Sequence, residues 1–119
     1  MTLRLKPKAP KMGARVQERR DFPRHRQFIR RHACVMGCER LPIQCAHVRL
    51  GTDGGTGLKP SDWWCVPLCA KHHADQHAIG EQSFWHGIDP RKLALSYALK
   101  SPVLEVQEKA RLLVSTNRE

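Results

Sequence analysis

The feature that most constrains this chain is a pair of short ligand turns far apart in sequence: Cys34 and Cys38 flank Val-Met-Gly, and Cys69 and His72 flank Ala-Lys. Each turn offers two thiolate or imidazole donors. Two such turns are the usual makings of a tetrahedral structural zinc site, in which one ion pins both turns together. A disulfide scaffold fits less well, because five cysteines is an odd number and residues 1–15 carry charge but no apolar export signal. A staple also suits the size. The chain has 119 residues, 40% hydrophobic and only 6% aromatic. The part expected to fold is shorter than about ninety residues, where a core alone is marginal.

Charge divides the chain. Residues 1–31 hold eleven Lys and Arg against Glu18 and Asp21, a net of +9, whereas residues 32–119 hold ten bases and nine acids. With Pro7, Pro10 and Pro23 and no cysteine, residues 1–31 read as a basic, mobile tail and residues 32–119 as the folded domain. Such a tail suits a polyphosphate, since each neutralised phosphate releases a counterion. Arg24, Arg26, Arg30 and Arg31 are its candidate nucleic-acid contacts. No amphipathic apolar face accompanies the charge, which argues against a membrane-binding arm, and no run has the length of a membrane span. A cytoplasmic protein is expected.

Between the ligand turns, residues 42–50 and 63–68 read as the strands of a β-hairpin, the second ended by Pro67. Their connection, residues 51–62, is rich in glycine. It fails as a P-loop, because Lys59 does not directly follow a glycine and Pro60 stands where a helix should open. An irregular loop of that length in so small a domain points to function. Residues 69–79 then read as a helix closed by Gly80. Two more helices are expected over 89–115, opening at the cap pairs Asp89-Pro90 and Ser101-Pro102. Val103, Val106, Ala110, Leu113 and Val114 form a packing stripe on the second. The fold class is α+β.

On the first of these helices His73 and His77 stand at i and i+4 and share a face, while His72 points about 100° away. The pair could hold a divalent ion against a phosphodiester, with His47 on the facing strand accepting the proton of an attacking water. Arg49, Lys59 and Lys71 would neutralise phosphate. Cys45 shares a strand face with His47 and reads as a small core residue, and Cys65 is a weaker zinc competitor than the Cys-x-x-His turn. Of Trp63 and Trp64, one ring belongs to the core and the other is available to stack on bases.

The order of Cys pair, strand His47, Gly-rich loop, second strand and Cys69-x-x-His72-His73-x-x-x-His77 resembles that of HNH nucleases of the ββα-metal (His-Me finger) fold, over residues 34–77. Ala46-His47-Val48-Arg49, residues 55–62, and Pro67-Leu68-Cys69 through His73 look most like small phage and prophage members. These are the YbcO-type proteins and the recombination-enhancement nucleases that act with RecA. The resemblance implies a small ββα-metal core with a zinc knuckle and metal-dependent DNA cleavage leaving 5′-phosphate and 3′-hydroxyl ends. By resemblance His47 is the general base, and His73 and His77 hold a catalytic Mg2+, Mn2+ or Zn2+. Cys34, Cys38, Cys69 and His72 take the structural zinc. DNA, bound largely without sequence preference, and the RecA filament are the implied partners, and the origin implied is bacterial or phage. Three positions depart from the pattern. Ala46 stands where many members have another ligand, which leaves the ion either two protein ligands completed by water and phosphate or a further ligand from Asp62 or Asp53. No asparagine stands at the middle position, where either Asp62 or Trp64 falls. Three residues, not two, separate Cys34 from Cys38.

Two functions compete. One is a metal-dependent DNA endonuclease or nickase; the other is a zinc-stabilised DNA-binding or recombination accessory module without catalysis. Only the first uses His47, His73 and His77 together. A zinc nucleobase deaminase is excluded, because His47 stands where that chemistry needs a glutamate. Nothing in the sequence demands a dimer.

Overall fold

The two β-forming runs pair as an antiparallel hairpin, β1 (Ile43–His47) and β2 (Cys65–Cys69), with Ile43 opposite Cys69 and His47 opposite Cys65. The computed structural model describes residues 18–55 and 57–116, and within them five helices surround the hairpin. These are α1 (Pro23–Arg30), α2 (Ala70–Ile79), α3 (Glu81–Trp85), α4 (Pro90–Ala98) and α5 (Leu104–Thr116). The result is the expected α+β architecture with a ββα core. Ala46, Val66 and Leu68 share one face of the hairpin and enter a core that includes Trp85, Leu95, Val106 and Ala110. Burying each of the larger apolar side chains is worth about 1.5–3 kcal/mol. Alternation puts Cys45, His47 and Cys65 on the opposite face.

Pro67 does not end the second strand, as the sequence suggests, but sits inside it. Val48 N–H donates to Trp64 O and Ala70 N–H to Pro42 O. The hydrogen-bonded pairs therefore alternate with positions such as Cys45 opposite Pro67, where no N–H is needed toward the partner strand. The Pro67 carbonyl accepts from Val35 N–H at 2.9 Å, which ties the first ligand turn to the hairpin.

The basic arm is the larger correction. Residues 1–17 lie outside the described residues, but residues 23–30 are helical and packed on both strands. Average composition hides a periodic apolar stripe here: Phe22, His25 and Ile29 recur at helical spacing and are all buried. Pro23 opens the helix at a position where its missing N–H costs nothing. Arg24, Arg30 and Arg31 remain exposed.

Helix α2 begins where expected, with the Cys69 thiol accepting from His72 N–H at 3.4 Å, and stops at Gly80, whose φ of 88° a side chain would strain. Helix α3 is additional to the sequence reading. Helix α4 opens on Asp89, whose carboxylate accepts from Arg91 N–H at 3.0 Å. Helix α5 starts at Leu104 rather than at Pro102, because Ser101 Oγ accepts from Val103 N–H and also meets His25 Nδ1 at 2.8 Å. In its stripe Val106 and Ala110 are buried, whereas Val114 is exposed. Trp63 and Trp64 are both buried, so neither is left to stack on bases. No helix among the described residues is long and apolar enough to cross a membrane.

Candidate metal centres and catalytic cavity

The first ligand turn and the N-terminus of α2 bring Cys34, Cys38, Cys69 and His72 together, one donor atom from each within 4.8 Å of the others. A tetrahedral zinc ion with bonds of about 2.3 Å to sulfur and 2.0–2.1 Å to nitrogen requires S–S edges near 3.8 Å and S–N edges near 3.5 Å. Cys38 Sγ lies 3.6 Å from Cys69 Sγ, and His72 Nδ1 lies 3.5, 3.5 and 3.3 Å from the sulfurs of Cys34, Cys38 and Cys69. One ring nitrogen cannot serve three thiols by hydrogen bonding, so the arrangement fits an ion. Burial opposes the Cys69 thiolate, but the His72 and Lys71 amides and the neighbouring thiols outweigh it, and its pKa falls below the ordinary thiol value.

On the same helix, His73 Nε2 and His77 Nε2 are 3.3 Å apart. Two nitrogens about 2.05 Å from one ion at the tetrahedral angle would have that separation. Gln44 Oε1 sits 2.8 Å from His73 Nδ1, so the ring donates there and keeps the Nε2 lone pair free. Burial first, then His77 and His47, push the His73 pKa down, which favours the neutral ligand form. Among the described residues, no third Cys, Asp, Glu or His donor joins this pair within 4.8 Å.

His47 is held from behind. Its Nε2 lies 2.8 Å from Asp62 Oδ1, and Asp62 is fully buried. The other oxygen, Oδ2, accepts from Phe22 N–H at 2.7 Å and from Arg26 Nη1 at 2.5 Å. Burial works against this carboxylate, but His47, the Phe22 amide and Arg26 outweigh it and hold its pKa down at about 2. With Nε2 donating to Asp62, Nδ1 is the nitrogen left to accept a proton. His47, Asp62 and Cys65 also place one donor atom each within 4.8 Å of one another, a second cluster able to hold a divalent ion.

These parts meet at one cavity of about 380 Å³, whose wall includes His47, His73, His77, Arg49 and Lys59. All three imidazoles line this one cavity. Of the two open candidates for the middle position, Asp62 reaches His47, while the Trp64 carbonyl serves Val48 N–H. Neither carboxylate offered as a further ligand joins His73 and His77. Asp62 is committed behind His47, and Asp53 accepts from Ser61 N–H at 2.9 Å and pairs with Arg20 at 3.7 Å. The Gly-rich loop is therefore a clasp that delivers Asp62. Gly54 packs so closely that a Cβ would lie 2.7 Å from Pro60 Cγ.

Arg26 is not a free phosphate contact, because it bridges Asp62 and Asp21. Lys71 pairs with Asp75 on the exposed side of α2 and is absent from the cavity wall. Three residues of the site lie outside the sequence reading, and two of them, Gln76 and Glu81, line the cavity. Gln44 orients His73, and Glu81 accepts from the Arg49 and Leu50 amides at 2.7 and 3.0 Å. Gln76 is 2% exposed, and neither of its amide atoms has a hydrogen-bond partner among the described residues. No spacing in the sequence singles out Gln76 or Glu81, since helix α2 is polar at most positions.

The arrangement is a ββα-metal-like core with two candidate ion-binding clusters, consistent with the HNH/His-Me finger superfamily fold. No family model, curated protein or solved structure matches the chain.

Proposed function

We propose that this chain is a metal-dependent DNA endonuclease or nickase of the HNH type, related in use to phage or prophage recombination. One observation carries the reading: a proton-accepting imidazole anchored on a buried carboxylate faces the same cavity as a converging imidazole pair. An ion held by His73 and His77 would supply positive charge to the scissile phosphate and the departing oxyanion. His47 Nδ1 would take the proton of the attacking water, and the Asp62 carboxylate would stabilise the imidazolium that results. Arg49 and Lys59 would hold flanking phosphates, with Arg24, Arg30 and Arg31 adding salt-sensitive affinity. Cys34, Cys38, Cys69 and His72 would hold a structural zinc and fix α2, and with it both ligand histidines, against the hairpin.

The test is cleavage of supercoiled plasmid in Mg2+, Mn2+ or Zn2+, with and without RecA filaments. Wild type is expected to nick or cut, and His47→Ala to lose about 10²–10⁴-fold in rate with its zinc content unchanged. Equal persistence of the plasmid with both proteins in every condition favours the accessory-module reading instead.

A further inference from the structure

Two thiols lie on the base's side of the hairpin and take no part in the mechanism above. Cys65 stands directly across from His47, and Cys45 is two residues before His47 on β1, so all three side chains share one face. Cys65 is fully buried, Asp62 is fully buried, and His47 is 18% exposed toward the cavity, whose wall Cys45 also lines. One donor atom each from His47, Asp62 and Cys65 falls within a 4.8 Å span. Imidazole, carboxylate and thiolate, with a second thiol beside them, form a donor set for zinc-like ions rather than for Mg2+.

We propose that His47, Asp62 and Cys65, with Cys45 as the neighbouring soft donor, form a thiophilic-ion site that switches the base off. Binding would release the Cys65 thiol proton to solvent and move the His47 proton from Nε2 to Nδ1. The ring then has no free nitrogen with which to accept a proton from water. Arg26 holds Asp62 Oδ2 and leaves Oδ1 toward the cluster, and its charge opposes an incoming cation. The site should therefore be weaker than the Cys3His knuckle, filling reversibly after it. The ion site stands on geometry alone, whereas its effect as an off-switch rests on the nuclease reading.

The experiment titrates Cd2+ into the zinc-loaded full chain carrying His73→Ala and His77→Ala, which removes the other cavity ligands. Sulfur-to-cadmium absorption reports binding, and a chromophoric chelator reports zinc release. One added equivalent without zinc release is expected, with affinity at least tenfold weaker after Cys65→Ser. If Cys65→Ser does not fold, Cys45→Ser should still weaken binding severalfold. Absorption that appears only with stoichiometric zinc release, or that survives both serine variants unchanged, overturns the site. In the second arm, zinc is added to Mn2+-supported plasmid cleavage. The inhibiting concentration, measured against that variant's own uninhibited rate, should rise severalfold in Cys45→Ser, and an unchanged concentration overturns the switch. A wild type that never cleaves defeats the nuclease reading and with it the switch, while the cadmium titration still decides the site.

Discussion

The Cys3His knuckle and the imidazole pair meet at helix α2, through the consecutive residues His72 and His73, yet they differ in how fully the protein encloses an ion. The knuckle has four protein donors, and its edges already match a closed zinc tetrahedron. The pair has two donors, one ring fixed by Gln44, and a cavity where further ligands would stand. Closed coordination serves folding, and open coordination leaves room for water and substrate. The difference teaches that the number of protein donors, more than their type, separates a closed candidate ion site from an open one here.

Breaking the closed site should have the largest effect. Cys69→Ser is expected to lose zinc and folding together, since structural zinc contributes on the order of 10 kcal/mol in small domains. Zinc content and circular dichroism check this, and retained metal with a native melt would show the ligand set to be wrong. His73→Ala/His77→Ala should instead keep both the knuckle zinc and the fold.

Next comes the support behind His47. Asp62→Ala leaves His47 without its anchor and the Phe22 N–H without its acceptor, while Arg26 keeps Asp21, at a cost of about 1–3 kcal/mol. Denaturant unfolding measures it, and a loss well below 1 kcal/mol would mean that the buried carboxylate is not what ties α1 to the site.

Acid sharpens the same contrast. Burial lowers the pKa of His25 to about 4 despite the nearby Asp62 charge, with His32 and His47 adding to the depression. The unfolded chain thus binds this proton more readily than the folded one, so stability is full above about pH 6.5 and falls as pH drops toward 4. The loss from this residue is about 3 kcal/mol. Asp62, held at about 2, adds a second loss below its ordinary value near 4. His25→Leu should flatten the upper limb in urea titrations run across this range; a limb of unchanged slope would assign the acid sensitivity elsewhere.

Smaller effects separate orientation from packing. Gln44→Leu frees the His73 ring and should weaken Mn2+ binding about 10–100-fold by calorimetry, with no change in knuckle zinc. Gln76→Leu removes a buried amide with no partner for either atom, and should raise stability by about 1 kcal/mol. A lower melting temperature in that variant would show that the amide is satisfied in solution.

Much of this was legible in the residues. The strand order, the capped helices at Cys69 and Asp89, and the four knuckle ligands all follow from short-range spacing. Pro67 was misread because a proline ends a strand only where its N–H is needed, and that depends on register. Helix α1 is hidden from a reading by composition because eleven cations mask a stripe of three buried side chains, Phe22, His25 and Ile29. Trp63 and Trp64 were split between core and solvent by strand alternation, but β2 begins at Cys65 and alternation does not govern them.

The sequence by itself determined which donors could be paired within a turn, since a chelate of near neighbours needs little more than local backbone geometry. Only the tertiary structure decided what stands behind His47. Asp62 reaches it from 15 residues away and Arg26 reaches Asp62 from 36, contacts created when the Gly-rich clasp closes and α1 docks. Such meetings depend on how buried charge is balanced across the whole fold, and no local pattern of residues encodes them.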